Sequence, residues 1–125
     1  MKELISVEKG IIEETKVPNI LKEDYFLPDE FINTLVFNVR VNDKNIILIG
    51  DRNKYSDIFV GDEVSVNKYR VKGSYEEYLD NIRKIIDMTY LDQNKDFKEK
   101  EFEKYFVNEE EYNKNPREII EYELV

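Results

Sequence analysis

The sequence predicts an α+β fold: a small bent antiparallel sheet or partly open β-barrel, one long amphipathic helix and a helical C-terminal extension. Three stretches carry that prediction. Leu35, Phe37, Val39 and Val41 alternate with Val36, Asn38 and Arg40, the period of a half-buried strand. Ile46 to Ile49 is a continuous apolar run, right for a strand buried on both faces and too short for a helix. Tyr75, Tyr78, Leu79, Ile82, Ile85 and Ile86 recur at the i, i+3, i+4, i+7 spacing of an amphipathic helix. At 125 residues the chain is one domain, with a β-rich core over 1–73 and a helical region over 74–125 packed on it.

Taken in order, Leu4 to Thr15 reads as a long first strand. Gly10 interrupts its pattern and predicts a kink or a close backbone approach there. Val17 to Glu30 is a connection bracketed by Pro18 and Pro28, yet it holds Ile20, Leu21, Tyr25, Phe26 and Leu27. A connection this long and apolar packs across the sheet or carries function. Phe31 to Ile49 forms a hairpin through the turn-tolerant link Asn42 to Asn45. Ile58-Phe59-Val60 returns the chain to the core, Gly61-Asp62 turns it, and Val64 begins a strand that runs to about Val71.

Ser74-Tyr75-Glu76-Glu77 is a capping box, so the long helix starts at Tyr75 and runs to about Leu91. Its apolar stripe belongs across the sheet or over the barrel's end. Asp96 is the expected cap of a second helix with Phe102, Tyr105 and Phe106 on its stripe, and Glu109 to Tyr112 adds a further turn. After Asn115-Pro116, Ile120, Tyr122 and Leu124 alternate with Glu121 and Glu123. This fits a last strand; a helix starting at Pro116 is the competing reading.

The stretch Val60-Gly61-Asp62-Glu63-Val64-Ser65-Val66 resembles one that recurs in small β-barrels of the OB-like and SH3-like kind, where a Gly-Asp turn feeds a Val-x-Val strand. The resemblance implies a barrel fold and carries over no site residue.

Composition narrows the chemistry. The chain has no His and no Cys, so Ser-His-Asp and Cys-His catalysis, disulfides and thiolate zinc sites are excluded. The four Gly residues are isolated, so there is no phosphate loop. No apolar run is long enough to span a bilayer, and charge interrupts the N-terminus before any signal-peptide core forms. A cytoplasmic protein without a cofactor is expected.

Net charge is −9 and unevenly spread. Arg40 to Lys72 holds seven basic and five acidic residues, whereas Asp92 to the end holds eleven acidic and six basic. A nearly neutral sheet is thus joined to an acidic tail.

Four constellations are candidates for chemistry. Asp92, Asn94, Asp96 and Glu103 have the spacing of a calcium-binding EF-hand loop, but Phe97 stands where the sharp turn needs Gly. Asp51, Asn53, Asp57 and Asp62 fail similarly, with Tyr55 and Ser56 at ligand and turn positions. Phe37, Tyr55 and Tyr69 with Arg40, Lys68 and Arg70 supply aromatic platforms and cations for an OB-like single-strand nucleic-acid binder, or for a small ligand on the sheet face. Glu99, Glu103, Glu109, Glu110 and Glu111 with Tyr105 and Tyr112 supply an acidic, aromatic-studded surface for a basic site on another protein. The last is the primary expectation: a non-enzymatic acidic inhibitor, immunity or anti-defence protein. The sheet-face binder is the alternative.

Overall fold

A computed structural model describes residues 1–125. Five strands form one antiparallel sheet: β1 (Lys2–Lys16), β2 (Thr34–Val41), β3 (Lys44–Asp51), β4 (Glu63–Val71) and β5 (Ile119–Leu124), in the spatial order β3-β2-β1-β4-β5. Strands β1 to β4 therefore make a Greek key. The two edges, β3 and β5, run in the same direction and lie alongside one another, so the sheet curls into a nearly closed barrel. The α+β class expected from the sequence is what the chain adopts.

Strand β1 makes this closure possible. Residues 2–11 pair with β4 and residues 11–16 pair with β2, so one long strand serves both walls. Register shifts fall between Leu4 and Ser6 and between Ile12 and Glu14, and such bulges bend and twist a strand. The kink expected near Gly10 thus has its register shift at Ile12–Glu14, not at the glycine itself. That glycine permits a close approach instead: a Cβ there would lie 2.5 Å from Val39 Cγ1 and 2.8 Å from Val41 Cγ2.

The β2–β3 hairpin turns on Asn42 and Asp43, at φ 48° and 66°. Positive φ at both central residues is the primed turn that matches strand twist, and Asn and Asp tolerate it best after Gly. The apolar run of β3 splits as expected: Ile46 and Leu48 enter the barrel, whereas Ile47 and Ile49 pack outside it. The barrel interior is Ile12, Phe37, Val39, Val41, Ile46, Leu48, Val66 and Leu124.

Helix α1 (Tyr75–Thr89) lies over the outer side of the seam between β3 and β5, where Asn81, Lys84, Ile85 and Met88 face Ile47, Ile49, Ile119 and Glu121. Its capping box is formed, with Glu77 N–H donating to Ser74 Oγ at 3.2 Å and Ser74 N–H to Glu77 Oε1 at 3.4 Å. Helices α2 (Lys95–Tyr105) and α3 (Glu109–Lys114) pack on α1's far side. Tyr78, Leu79, Ile82 and Ile86 of α1 meet Val107 and Tyr112 in a second apolar cluster. The result is a layered molecule of barrel, α1, then α2 and α3. The cap of α2 is Asn94, which accepts from Phe97 N–H at 2.9 Å, not Asp96 as expected. Residues 119–124 form a strand, which resolves the open alternative for that segment. No helix is long and apolar enough to cross a membrane.

Candidate acidic docking surface

The connection after β1 contains two 3₁₀ turns, Lys22–Asp24 and Pro28–Phe31, and it packs as structure. Tyr25 and Phe31 join Val36 of β2 and Leu91 in a third apolar cluster. A polar knot holds this connection to the helices. Asp87 of α1 and Lys98 of α2 pair at 3.4 Å, and both side chains are 0% exposed. The Asp87 carboxylate also accepts from the Phe26 and Leu27 amides at 3.2 and 3.0 Å. Lys98 Nζ donates to the Asp24 carbonyl at 2.8 Å and sits 3.8 Å from the Tyr25 ring centroid. Burial pushes the Lys98 ammonium below its ordinary value of 10.5, and Asp87 opposes that shift. This pair is absent from the sequence-derived site. Its signal was a lysine four residues before Phe102 on α2's inner stripe, opposite an acid beside Ile86 on α1.

The knot positions α2, and α2 sets the acidic surface. Asp96, Glu99 and Glu103 stand at i, i+3 and i+7, so they share one flank of the helix, and all three are exposed. Glu109, Glu110 and Glu111 are exposed in the first turn of α3, which Asn108 caps by accepting from Glu111 N–H at 2.8 Å. Asp96, Glu99, Glu103, Glu109 and Glu111 enter none of the thirteen ion pairs; Glu110 pairs with Lys114 at 3.2 Å.

The two tyrosines expected on this surface part company. Tyr112 is only 3% exposed; its ring packs at a tilt against Tyr75 and Tyr78, and its hydroxyl donates to the Gly73 carbonyl at 2.6 Å. It is a core residue and leaves the surface, because α3 is too short to bury anything else against α1. Tyr105 is exposed, but it faces the cleft beside Ile85 and Tyr90, not the Glu99–Glu103 flank.

The sheet-face set also disperses. Phe37 is fully buried inside the barrel and cannot stack a base. Tyr55 lies edge-on to Phe37 at 6.3 Å and donates to the Leu124 carbonyl across the seam. Arg40 shares the outer face with Ile11 and Glu63, whereas Lys68 and Arg70 share the face of Val66, so the three cations do not form one patch. Arg40 is held by Glu13 at 2.7 Å, and Arg70 by Glu118 at 2.9 Å. Tyr69 lies under Lys2, itself bound to Glu121 and Glu123.

The EF-hand-like residues do not form a cage. Asn94 is occupied as the α2 cap, Asp96 and Glu103 point along the helix flank, and no group of three or more acids converges as metal ligands. Asp51 instead accepts from the Asn53 and Lys54 amides in a local turn.

No protein-family model matches the chain, and neither a curated protein nor a solved structure matches it.

Proposed function

We propose that the protein is a non-enzymatic binding module that docks the acidic surface of α2 and α3 onto a basic surface of another protein, such as the nucleic-acid groove of an enzyme it blocks. One observation carries this reading: five exposed acids of α2 and α3 lack the ion-pair partners that most of the sheet's cations have. Most of the sheet's cations are held in ion pairs within the chain, including Arg40–Glu13, Arg70–Glu118 and Lys9–Glu63, whereas Lys44 and Lys68 enter none. The helical acids Asp96, Glu99, Glu103, Glu109 and Glu111 have no such partners. Unpaired surface charge steers encounter with a partner of opposite sign, and a net charge of −9 strengthens that field.

The test is capture from host lysate at low salt with the native chain and with a triple variant, Glu109→Lys, Glu110→Lys and Glu111→Lys. A basic protein should be retained by the native chain, be released as salt rises, and be missing with the triple variant. Equal capture by both proteins ends the reading.

The Greek-key barrel favours the alternative, an OB-like binder of single-stranded nucleic acid. That reading needs free cations and aromatic faces on one wall, but Phe37 is buried and Arg40 and Arg70 are paired, which leaves Lys68 as the set's one cation outside an ion pair. A labelled oligonucleotide at low salt tests it, and binding in the tens of micromolar range would restore it.

A further inference from the structure

A strip of exposed apolar side chains from three elements borders two adjoining clefts. Ile120 of β5, Ile85 of α1 and Tyr105 of α2 are 42%, 43% and 56% exposed. Ile85 forms the ridge between two clefts, since it lines both. One cleft follows the β3–β5 seam and is walled by Ile47, Ile49 and Met88. The other, about 210 Å³, opens between α1 and α2 over Ile82, Ile86 and Tyr90. Single exposed apolar residues are ordinary; a run with clefts on either side of its centre marks an interaction surface.

We propose that this strip seats apolar side chains of a basic partner segment, whose lysines or arginines meet the free carboxylates of α2 and α3. The inference rests on the acidic-docking reading and names the rest of the contact. Charged groups beside the strip are neutralised within the chain: Lys84 by Glu121, Arg83 by Asp80, and Lys104 by Glu101. The unmatched charge nearby is net negative, because Asp96, Glu99, Glu103, Glu109 and Glu111 outnumber Lys100, the exposed α2 cation outside every ion pair, and this selects a cationic segment. A second copy is the wrong occupant, because it would bring another −9. Helix α2, about 10 Å across, has the strip on one flank and Asp96, Glu99 and Glu103 on the other. A partner segment straddling α2 reaches both.

The probes are two labelled synthetic helical peptides of equal positive charge, one of Leu and Lys and one of Ser and Lys, read by fluorescence anisotropy against the full chain. The Leu/Lys peptide should bind about tenfold more tightly or better, the worth of one seated leucine. Ile85→Ser should remove that advantage and leave Ser/Lys binding unchanged. Tyr105→Ser serves as a second variant, and circular dichroism reports whether either change disturbs the fold. Equal binding of both peptides overturns the strip and leaves the acidic reading standing. Binding of neither overturns both. Sedimentation of the free protein supplies the last outcome: a dimer that Ile85→Ser dissociates would give the strip to a second copy and overturn the proposal.

Discussion

Asp87 and Lys98 are the two charged residues withdrawn wholly from solvent. Taking such groups out of water costs several kcal/mol each, and only close pairing with full hydrogen bonding offsets it. Here the carboxylate takes two backbone amides and the ammonium, while the ammonium takes a carbonyl and an aromatic face. Removing one partner strands the other. Lys98→Met should therefore lower unfolding free energy by about 3–5 kcal/mol, measured by urea denaturation. Replacing both, as Asp87→Leu with Lys98→Met, should recover only part of that loss. The Phe26 and Leu27 amides would still lack an acceptor, at about 1–3 kcal/mol for a buried orphan. A fully recovered double variant would show that the amides find water. Tyr25, which covers Lys98, gives the matching pH signature. Burial, with the negative charges of Asp87, Asp92 and Asp24 adding to it, raises its phenol above the ordinary 10.0. Above that value the unfolded chain loses the proton first and binds fewer protons than the folded one, so stability falls as pH rises. The contribution is complete below pH 10 and lost through the folded-state titration. Tyr25→Phe should flatten this alkaline fall in denaturation midpoints, and an unchanged slope would place the late titration elsewhere.

At the scale of elements, what the sequence revealed depended on how cleanly a local pattern met one environment. Strands β2 and β3 were legible because alternation and a short apolar run each have one good solution. Helix α1 was legible because its cap and its stripe agree. Helix α2 was only half legible: its inner stripe is occupied at one position by Lys98, so the apolar period blurs, and its cap was placed two residues late. The 3₁₀ turns have no period to read, and the polar knot holds the stretch between them through Asp24, Phe26 and Leu27. The candidate site was legible as composition but not as geometry, since burial of Phe37 depends on barrel closure and burial of Tyr112 depends on α3 meeting α1. Gly10 is a test of how tightly that closure is packed. A Cβ there meets Val39, Val41 and the Arg40 carbonyl at 2.5, 2.8 and 3.1 Å. The backbone oxygen cannot swing away as a side chain can, so Gly10→Ala should cost about 1–3 kcal/mol by overpacking, read as a lowered thermal midpoint. A rise in midpoint would mean that β1 and β2 separate freely at that level.

At the scale of the whole molecule, the layers differ in what secures them. Central strand β1 is hydrogen-bonded on both edges, and eight buried apolar residues fill the barrel. Helices α2 and α3 sit outermost. The one α2 residue fully buried is Lys98, while Phe97, Tyr105 and Phe106 remain exposed. Regions held by few buried apolar contacts open at lower free energy than the core. Hydrogen exchange followed by mass spectrometry should therefore find α2 and α3 amides exchanging well before those of β1, β2 and β4. The 22–27 segment should exchange along with α2, because both hang on Asp87. In Asp87→Asn, exchange of 22–27 and 95–105 should quicken together while the barrel keeps its protection, since an amide can accept one of the two N–H groups but cannot hold the ammonium's charge. Uniform quickening across the strands would instead mean that the layers unfold as one unit, and the acidic surface would then be as rigid as the barrel that carries it.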